Sequence, residues 1–287
     1  MAKTPEPRPT KADIPLAGGA QGNPADEADK TVRAANPMLK ALSDVRQVLA
    51  YLTILPVSGK GLLTEEDFGR LPAYYPLAGL ALGLGLFLCA KLLMLTAAPV
   101  TVMATILVAL MVVFTRGFHL DGLADSMDAL LSHRSREEKL AIMKDPRQGT
   151  FGVLSIVLDV LLRVQLVSAV LTRPDWATAI ILFPVWGRLA SSTVSAFSRY
   201  ARPGGGLAHA SVERSGFREF LIALGLTLAL SLLFGFPPFL AALFAFLLSV
   251  GLILLWDKTM GGVTGDLLGA SLEITETLCL LLYVLAF

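Results

Sequence analysis

With 287 residues, a mean hydropathy of +0.66 and 54% hydrophobic against 16% charged side chains, the chain is far more apolar than a soluble domain, where roughly 25% of residues are charged. Its 24 basic and 23 acidic residues leave a formal charge of +1, which offers no bulk attraction for nucleic acid. Cys89 and Cys279 lie in separate apolar runs without metal spacing and read as packing or lipid-facing residues, so disulfide and thiolate-metal chemistry are set aside.

Residues 1–38 are rich in Pro, Ala, Gly and charge and carry few large apolar side chains. They cannot bury enough surface to offset chain entropy, and a disordered polar tail without signal-peptide character is expected. Residues 39–287 are expected to form a single membrane-embedded domain. Its first part, 40–56, is too short and too polar at its start to span, and reads as an amphipathic interfacial or re-entrant helix. Seven apolar runs follow, near 74–95, 99–117, 151–171, 177–197, 219–235, 238–256 and 267–287. They approach the roughly 20 residues a crossing needs. The expected fold class is therefore all-α, a polytopic integral membrane helical bundle of about seven transmembrane helices plus the N-terminal interfacial or re-entrant helix. Gly79 and Gly83, at helical spacing, suit close helix packing. No internal repeat and no P-loop string occurs, and Gly204, Gly205 and Gly206 read as a flexible loop.

Basic residues gather in alternate loops: Arg134, Arg136, Lys139, Lys144 and Arg147 in 118–150, Arg199, Arg202, Arg214 and Arg218 in 198–218, and Lys258 in 257–266. The other loops are short, and of those only 172–176 carries a basic residue, Arg173. This asymmetry puts the N-terminus and the longer loops in the cytoplasm, and every polar motif below with them.

The densest of those motifs is HLDGLADSMD, His119 to Asp128. Asp121, Asp125 and Asp128, spaced i, i+4, i+7, fall within about 60° of one another on a helix. Like charges on one face repel, and a bound divalent cation removes that repulsion. Oxygen-only donors suit Mg²⁺, which takes one or two carboxylates and completes its shell with substrate phosphates. A solvated acidic face is the plain alternative, but the neighbours Phe118, Leu120, Leu123, Ala124, Met127 and Leu130 are apolar, which that alternative does not predict. His119 suits a general base or an orienting group for a carboxylate, although an ordinary hydrogen-bonded histidine would look the same.

In KLAIMKDPRQGTFG, Asp145 is a further ligand candidate, flanked by Lys144 and Arg147, which suit phosphate oxygens. Gly149 and Gly152 allow close backbone approach just where a spanning helix opens at Thr150. Ordinary loop and cap chemistry explains the same residues equally well. In MGGVTGDLLGASLEITE, Asp266 sits at the membrane edge, Glu273 lies on the same face about 10 Å deeper, and Glu276 is deeper again. Carboxylates within a span are functional candidates by default, and Thr264 or the Gly261–Gly262 turn suits a phosphate pocket. Asp159 and Arg163, i and i+4 in one span, read as a neutralising pair, while Arg188 in WGRLA is a candidate to face the acids. Several acids and basic residues on one face are the equipment of phosphoryl transfer. There is no Ser-His-Asp, Cys-His or zinc pattern, and three histidines (His119, His133, His209) speak against haem or redox chemistry.

The strings HLDGLADSMDAL, EKLAIMKDPRQGTFG and GGVTGDLLGASLE, in that order, resemble the three signature regions of the cobalamin synthase family, the adenosylcobinamide-GDP ribazoletransferases. YLTILPV, YYPLAGLALG, PVWGRLA and YARPGGGLA extend the similarity over roughly 40–287. The resemblance implies a membrane transferase that closes the nucleotide loop of cobalamin. The 3′-hydroxyl of α-ribazole, or of its 5′-phosphate, attacks the phosphate on adenosylcobinamide-GDP, GMP leaves, and Mg²⁺ is required. It also implies that Asp121, Asp125, Asp128, Asp145 and Asp266 hold metal or phosphate. Individual roles are read from the residues: Asp121, Asp125 and His119 at the reacting atoms, with Lys144, Arg147, Arg188, Thr264 and Glu273 around the phosphates. Ala129, Gln148, Arg163 and Leu267 depart from the family pattern, but no acid of the cluster is lost. Expected partners are the two substrates, the bilayer of the inner membrane, and a second copy or other corrinoid-pathway enzymes. Two other phosphate-using membrane transferases are weaker fits. The CDP-alcohol phosphotransferases share DGLA but continue with a GxxxDxxxD that is missing here, and an aspartate-rich prenyltransferase would use similar metals. A secondary transporter is the rival from another class, but it would carry midplane acids and repeat symmetry.

Overall fold

The computed structural model describes residues 37–57, 63–202 and 208–287. The expectation of a disordered tail therefore lies outside the described residues except at Pro37 and Met38, and so does the glycine loop 204–206. Among the described residues the secondary structure is helical, with one isolated bridge between Tyr200 and Val263. Two compact units divide at Ala41. Of the first, 37–41 are described, and they form the opening of helix α1 (Pro37–Leu52).

In the second unit, Val48 and Leu52 on the rest of α1 are buried with Leu71, Tyr75 and Ala78. Asp44 is held by Arg70 at 3.3 Å. Helix α2 (Glu65–Arg70) opens with a capping box between Thr64 and Asp67 and runs through a 3₁₀ turn, Leu71–Tyr74, into α3 (Tyr75–Leu93). Then follow α4 (Val100–Phe114), α5 (Phe118–Leu130), α6 (Arg136–Ile142), α7 (Thr150–Leu171), α8 (Trp176–Phe197), α9 (His209–Glu213), α10 (Phe217–Leu233), α11 (Phe236–Met260) and α12 (Gly265–Ala286).

The bundle is built around α8, whose residues from Ala179 to Ser195 are all buried. Helix α3 lies directly on it because Gly79 and Gly83 present no side chain: a Cβ on Gly79 would come within 2.8 Å of the Val185 Cα, and one on Gly83 would collide with the Ile181 carbonyl. This is the small-residue packing expected of those glycines. The periphery is apolar, with Leu154, Leu158 and Leu161 of α7 and Leu247 and Leu254 of α11 exposed. An outer surface of leucine around a buried centre is what lipid solvates, and the protein is a polytopic helical membrane bundle.

All seven expected spans are helical, but they are not equal. Five stretches are long and apolar enough to cross a membrane: 65–93, α7, α8, α11 and α12. Helices α4 and α10, at 15 and 17 residues, are shorter than the ~20 of a full crossing. The run 99–117 breaks because Arg116 (φ 57°) and Gly117 (φ 65°) adopt left-handed backbone. The chain there turns by 89° from α4 into α5, and the two helices together make a sixth, broken span at most. Hydropathy averages over such a bend and does not detect it.

Candidate active site

Helix α5 turns off α4 by 89° and runs antiparallel along the opening turns of α12 and α7, with Asp121 on its exposed face. It is seated on α12 through two glycines. A Cβ on Gly122 would stand 2.7 Å from the Asp266 carbonyl oxygen, and one on Gly269 would stand 3.2 Å from the His119 Cα. It is seated on α7 through Gly152, where a Cβ would meet the Asp128 carboxylate and, at 3.0 Å, the Ala124 carbonyl. The local sequence thus fixes three close backbone approaches, and these bring all three motifs to one end of the molecule.

The five aspartates differ in what already binds them. Asp128 accepts hydrogen bonds from the backbone N–H of Gly149 at 2.6 Å and of Gly152 at 2.8 Å. It caps the N-terminus of α7, where free N–H groups and the helix dipole favour a carboxylate. Asp145 is gripped by the Arg147 guanidinium, 2.6 Å at Nη2 and 2.9 Å at Nε, and by the Arg147 backbone N–H at 3.0 Å. Those bonds hold its carboxyl down at about 2. Asp266 accepts from Arg202 Nη2 at 2.6 Å and from Thr264 Oγ1 at 3.2 Å, while Thr264 also caps α12 through the Leu267 N–H. Asp125 receives a single neutral donor, Gln148 Nε2 at 3.0 Å. Asp121 is exposed at the open end of the helix.

Among the described residues, no three carboxylate, imidazole or thiol groups converge as a ready-made metal shell. A preformed five-aspartate shell is therefore not assembled. Two carboxylates on adjacent turns, Asp121 and Asp125, have no cationic partner among the described residues, and this donor set fits Mg²⁺, which needs one or two carboxylates before phosphate completes the shell. Lys144 is exposed beside the face, and the Arg147 side chain is 87% exposed despite its bond to Asp145.

His119 does not project into the open face. It is buried, with its Cα against Gly269 of α12 and its Nδ1 without a partner. Arg188 and Glu273, expected around the phosphates, lie in an ion network in the bundle interior. There Arg163 of α7 binds Asp159 at 3.0 Å, Glu276 at 2.7 Å, and Glu273, and Arg188 of α8 binds Glu276. Thr277 closes the ring, accepting from Arg163 Nε at 2.8 Å and donating to Asp159 at 2.6 Å. The i, i+4 pair Asp159–Arg163 is present as expected, but it is one edge of a larger network that ties α7, α8 and α12 together.

Two contributors were given no role in the site from the sequence. Gln148 is the only described hydrogen-bond partner of the Asp125 carboxylate, and a neutral amide in a loop carries no signal of its own. Arg202 was read as a topogenic charge. It reaches Asp266 because segment 199–201 pairs with Val263: Val263 N–H donates to Arg199 O at 2.9 Å and Ala201 N–H to Val263 O at 2.8 Å. The turn before it needs glycine, since Gly261 (φ 70°) and Gly262 (φ 144°) are both left-handed and pressed against Arg136 and Arg199.

Residues 44–284 match the family model described as cobalamin-5-phosphate synthase. A protein of Pseudomonas aeruginosa named adenosylcobinamide-GDP ribazoletransferase is 37% identical over 250 residues, 87% of this chain and 100% of its own length. Proteins of the same name from Acetivibrio thermocellus (34% identical, 86% of this chain and 99% of that protein) and Syntrophobacter fumaroxidans (39%, 81% and 94%) are similar over nearly as much. No solved structure matches the chain.

Proposed function

The chain belongs to the cobalamin-5-phosphate synthase family, and from that premise we propose that the acid face of α5 is where it joins α-ribazole, or its 5′-phosphate, to adenosylcobinamide-GDP with release of GMP. The attacking hydroxyl forms the new P–O bond, and the bond to the GMP phosphate breaks. The single observation that carries the placement is the contrast among the acids. Asp128, Asp145 and Asp266 are each held by backbone N–H groups or a guanidinium, whereas among the described residues Asp121 and Asp125 have no cationic partner.

Asp121 and Asp125 would hold Mg²⁺, with Asp266 and Asp145 at its margin. When bound, the ion neutralises charge on the transferring phosphate. Lys144 and Arg147 take the remaining phosphate oxygens, Arg147 turning from Asp145 to do so. Arg202 and Thr264 orient Asp266, and Asp128 fixes the loop that carries Gln148, Arg147 and Lys144. His119 supports α5 from beneath as a positioning residue. The excess of Lys and Arg in the loops at this end supports a cytoplasmic face, where nucleotide-activated substrates are available.

Purified protein incubated with adenosylcobinamide-GDP, α-ribazole and Mg²⁺ should release GMP, and chelation should stop release until Mg²⁺ is restored. Undiminished GMP release in the presence of chelator would overturn the metal assignment.

A further inference from the structure

A cleft of about 500 Å³ opens beside the acid face, lined by Ala50, Tyr51, Thr115, Arg116, Gly117, Phe118 and Asp121. That volume lies within the range of pockets for small organic ligands, roughly 300–1,000 Å³. One wall is the end of α1, and the other is the bend between α4 and α5. Two hydrogen bonds tie the walls together: Ile54 N–H donates to Phe114 O at 2.8 Å, and Arg116 Nη2 donates to Thr53 O at 2.8 Å. The second engages a residue in left-handed backbone (φ 57°), so the bend is held in place from outside itself. The two rings at the mouth, Tyr51 and Phe118, stand edge to face with centroids 6.2 Å apart. Tyr51 is braced behind by Phe68 at 5.7 Å, whereas Phe118 remains 47% exposed. The cleft is therefore pre-shaped, aromatic at its mouth, and bordered by an aspartate of the acid face.

We infer that this cleft is a binding subsite for the flat heteroaromatic base of a nucleoside, stacked on Phe118 beside Tyr51, with its sugar directed to Asp121. The inference rests on Asp121 marking the reaction centre. A base on the Phe118 ring lies in the cleft that Asp121 borders, so its attached ribose and phosphate can reach that carboxylate. Aromatic side chains hold bases by their π faces without a fixed hydrogen-bond pattern. The reaction supplies two such bases, that of α-ribazole and the guanine of the GDP portion, and binding measurements separate them.

The test uses full-length protein in lipid nanodiscs, with α-ribazole and GDP titrated separately in the absence of the second substrate. Phe118→Ala and Phe118→Leu should weaken one of the two ligands about tenfold, the loss expected from removing one stacking ring. Phe118→Trp should retain affinity, and Tyr51→Phe should bind as wild type. Weakening confined to α-ribazole assigns its base to the cleft, and weakening confined to GDP assigns guanine. Unchanged affinity for both ligands in Phe118→Ala and Phe118→Leu would overturn the subsite. Binding does not require turnover, so an Asp121→Asn protein that releases no GMP yet shows the same Phe118 dependence keeps the subsite distinct from the catalytic assignment. A wild type that binds and turns over neither substrate would instead refute the proposed function.

Discussion

Two acidic regions of this protein share residue types and differ in what surrounds them. In the bundle interior, Asp159, Glu273 and Glu276 are buried among α7, α8 and α12 and bound to Arg163 and Arg188. On the end of the bundle, Asp121 and Asp125 share a helix face, and the described partner of the pair is one glutamine amide. Charge inside a low-dielectric bundle survives only when paired, and such a pair holds helices together without being free to react. Charge at the membrane surface can be left unmatched at modest cost because water screens it, and that unmatched charge is available to a ligand. Ion pairing, rather than acidity, separates the structural region from the candidate catalytic one.

The comparison breaks most visibly at the accessible acids. Asp121→Asn and Asp125→Asn should each lower GMP release by about 10²–10³-fold, the scale of losing one electrostatic contact to the transferring group. The protein should still insert and melt as wild type. A parallel loss of thermal stability would mean that these acids belong with the interior class. Arg163→Ala reverses the pattern, since it strips the guanidinium from Glu273 and one of two guanidinium partners from Glu276, and should cost about 3–5 kcal/mol of stability. Denaturation in detergent checks this, and Arg163→Lys should recover part of the loss. Asp128→Ala lies between the two classes. It removes the cap of α7 and should cost about 0.5–2 kcal/mol, with reduced turnover because loop 143–149 loses its anchor. Turnover at the wild-type rate in a destabilised Asp128→Ala protein would show that the loop does not need that anchor.

Legibility followed the same division. Periodicity placed Asp121, Asp125 and Asp128 on one face, and the apolar runs located every long helix, because both depend on local spacing and side-chain transfer energies. Pairing was not legible. Arg188 and Glu273 were grouped with the phosphate residues because an intramembrane charge signals importance without naming its partner. Asp128 looked equivalent to Asp125 until Gly149 and Gly152 were seen to donate to it. Arg202, Gln148 and the bend at Arg116 lacked any periodic or compositional mark.

The sequence by itself determined a polytopic α-helical membrane protein, the three motif regions and the family to which they belong, since these rest on composition, spacing and order along the chain. The tertiary structure decided which acids are spent on capping and ion pairs and which remain open. It also decided that α5 turns off α4 and packs along the first turns of α12 and α7 through Gly122, Gly152 and Gly269. Those outcomes depend on which backbones approach closely enough to exchange hydrogen bonds, a condition set by residues far apart in the chain.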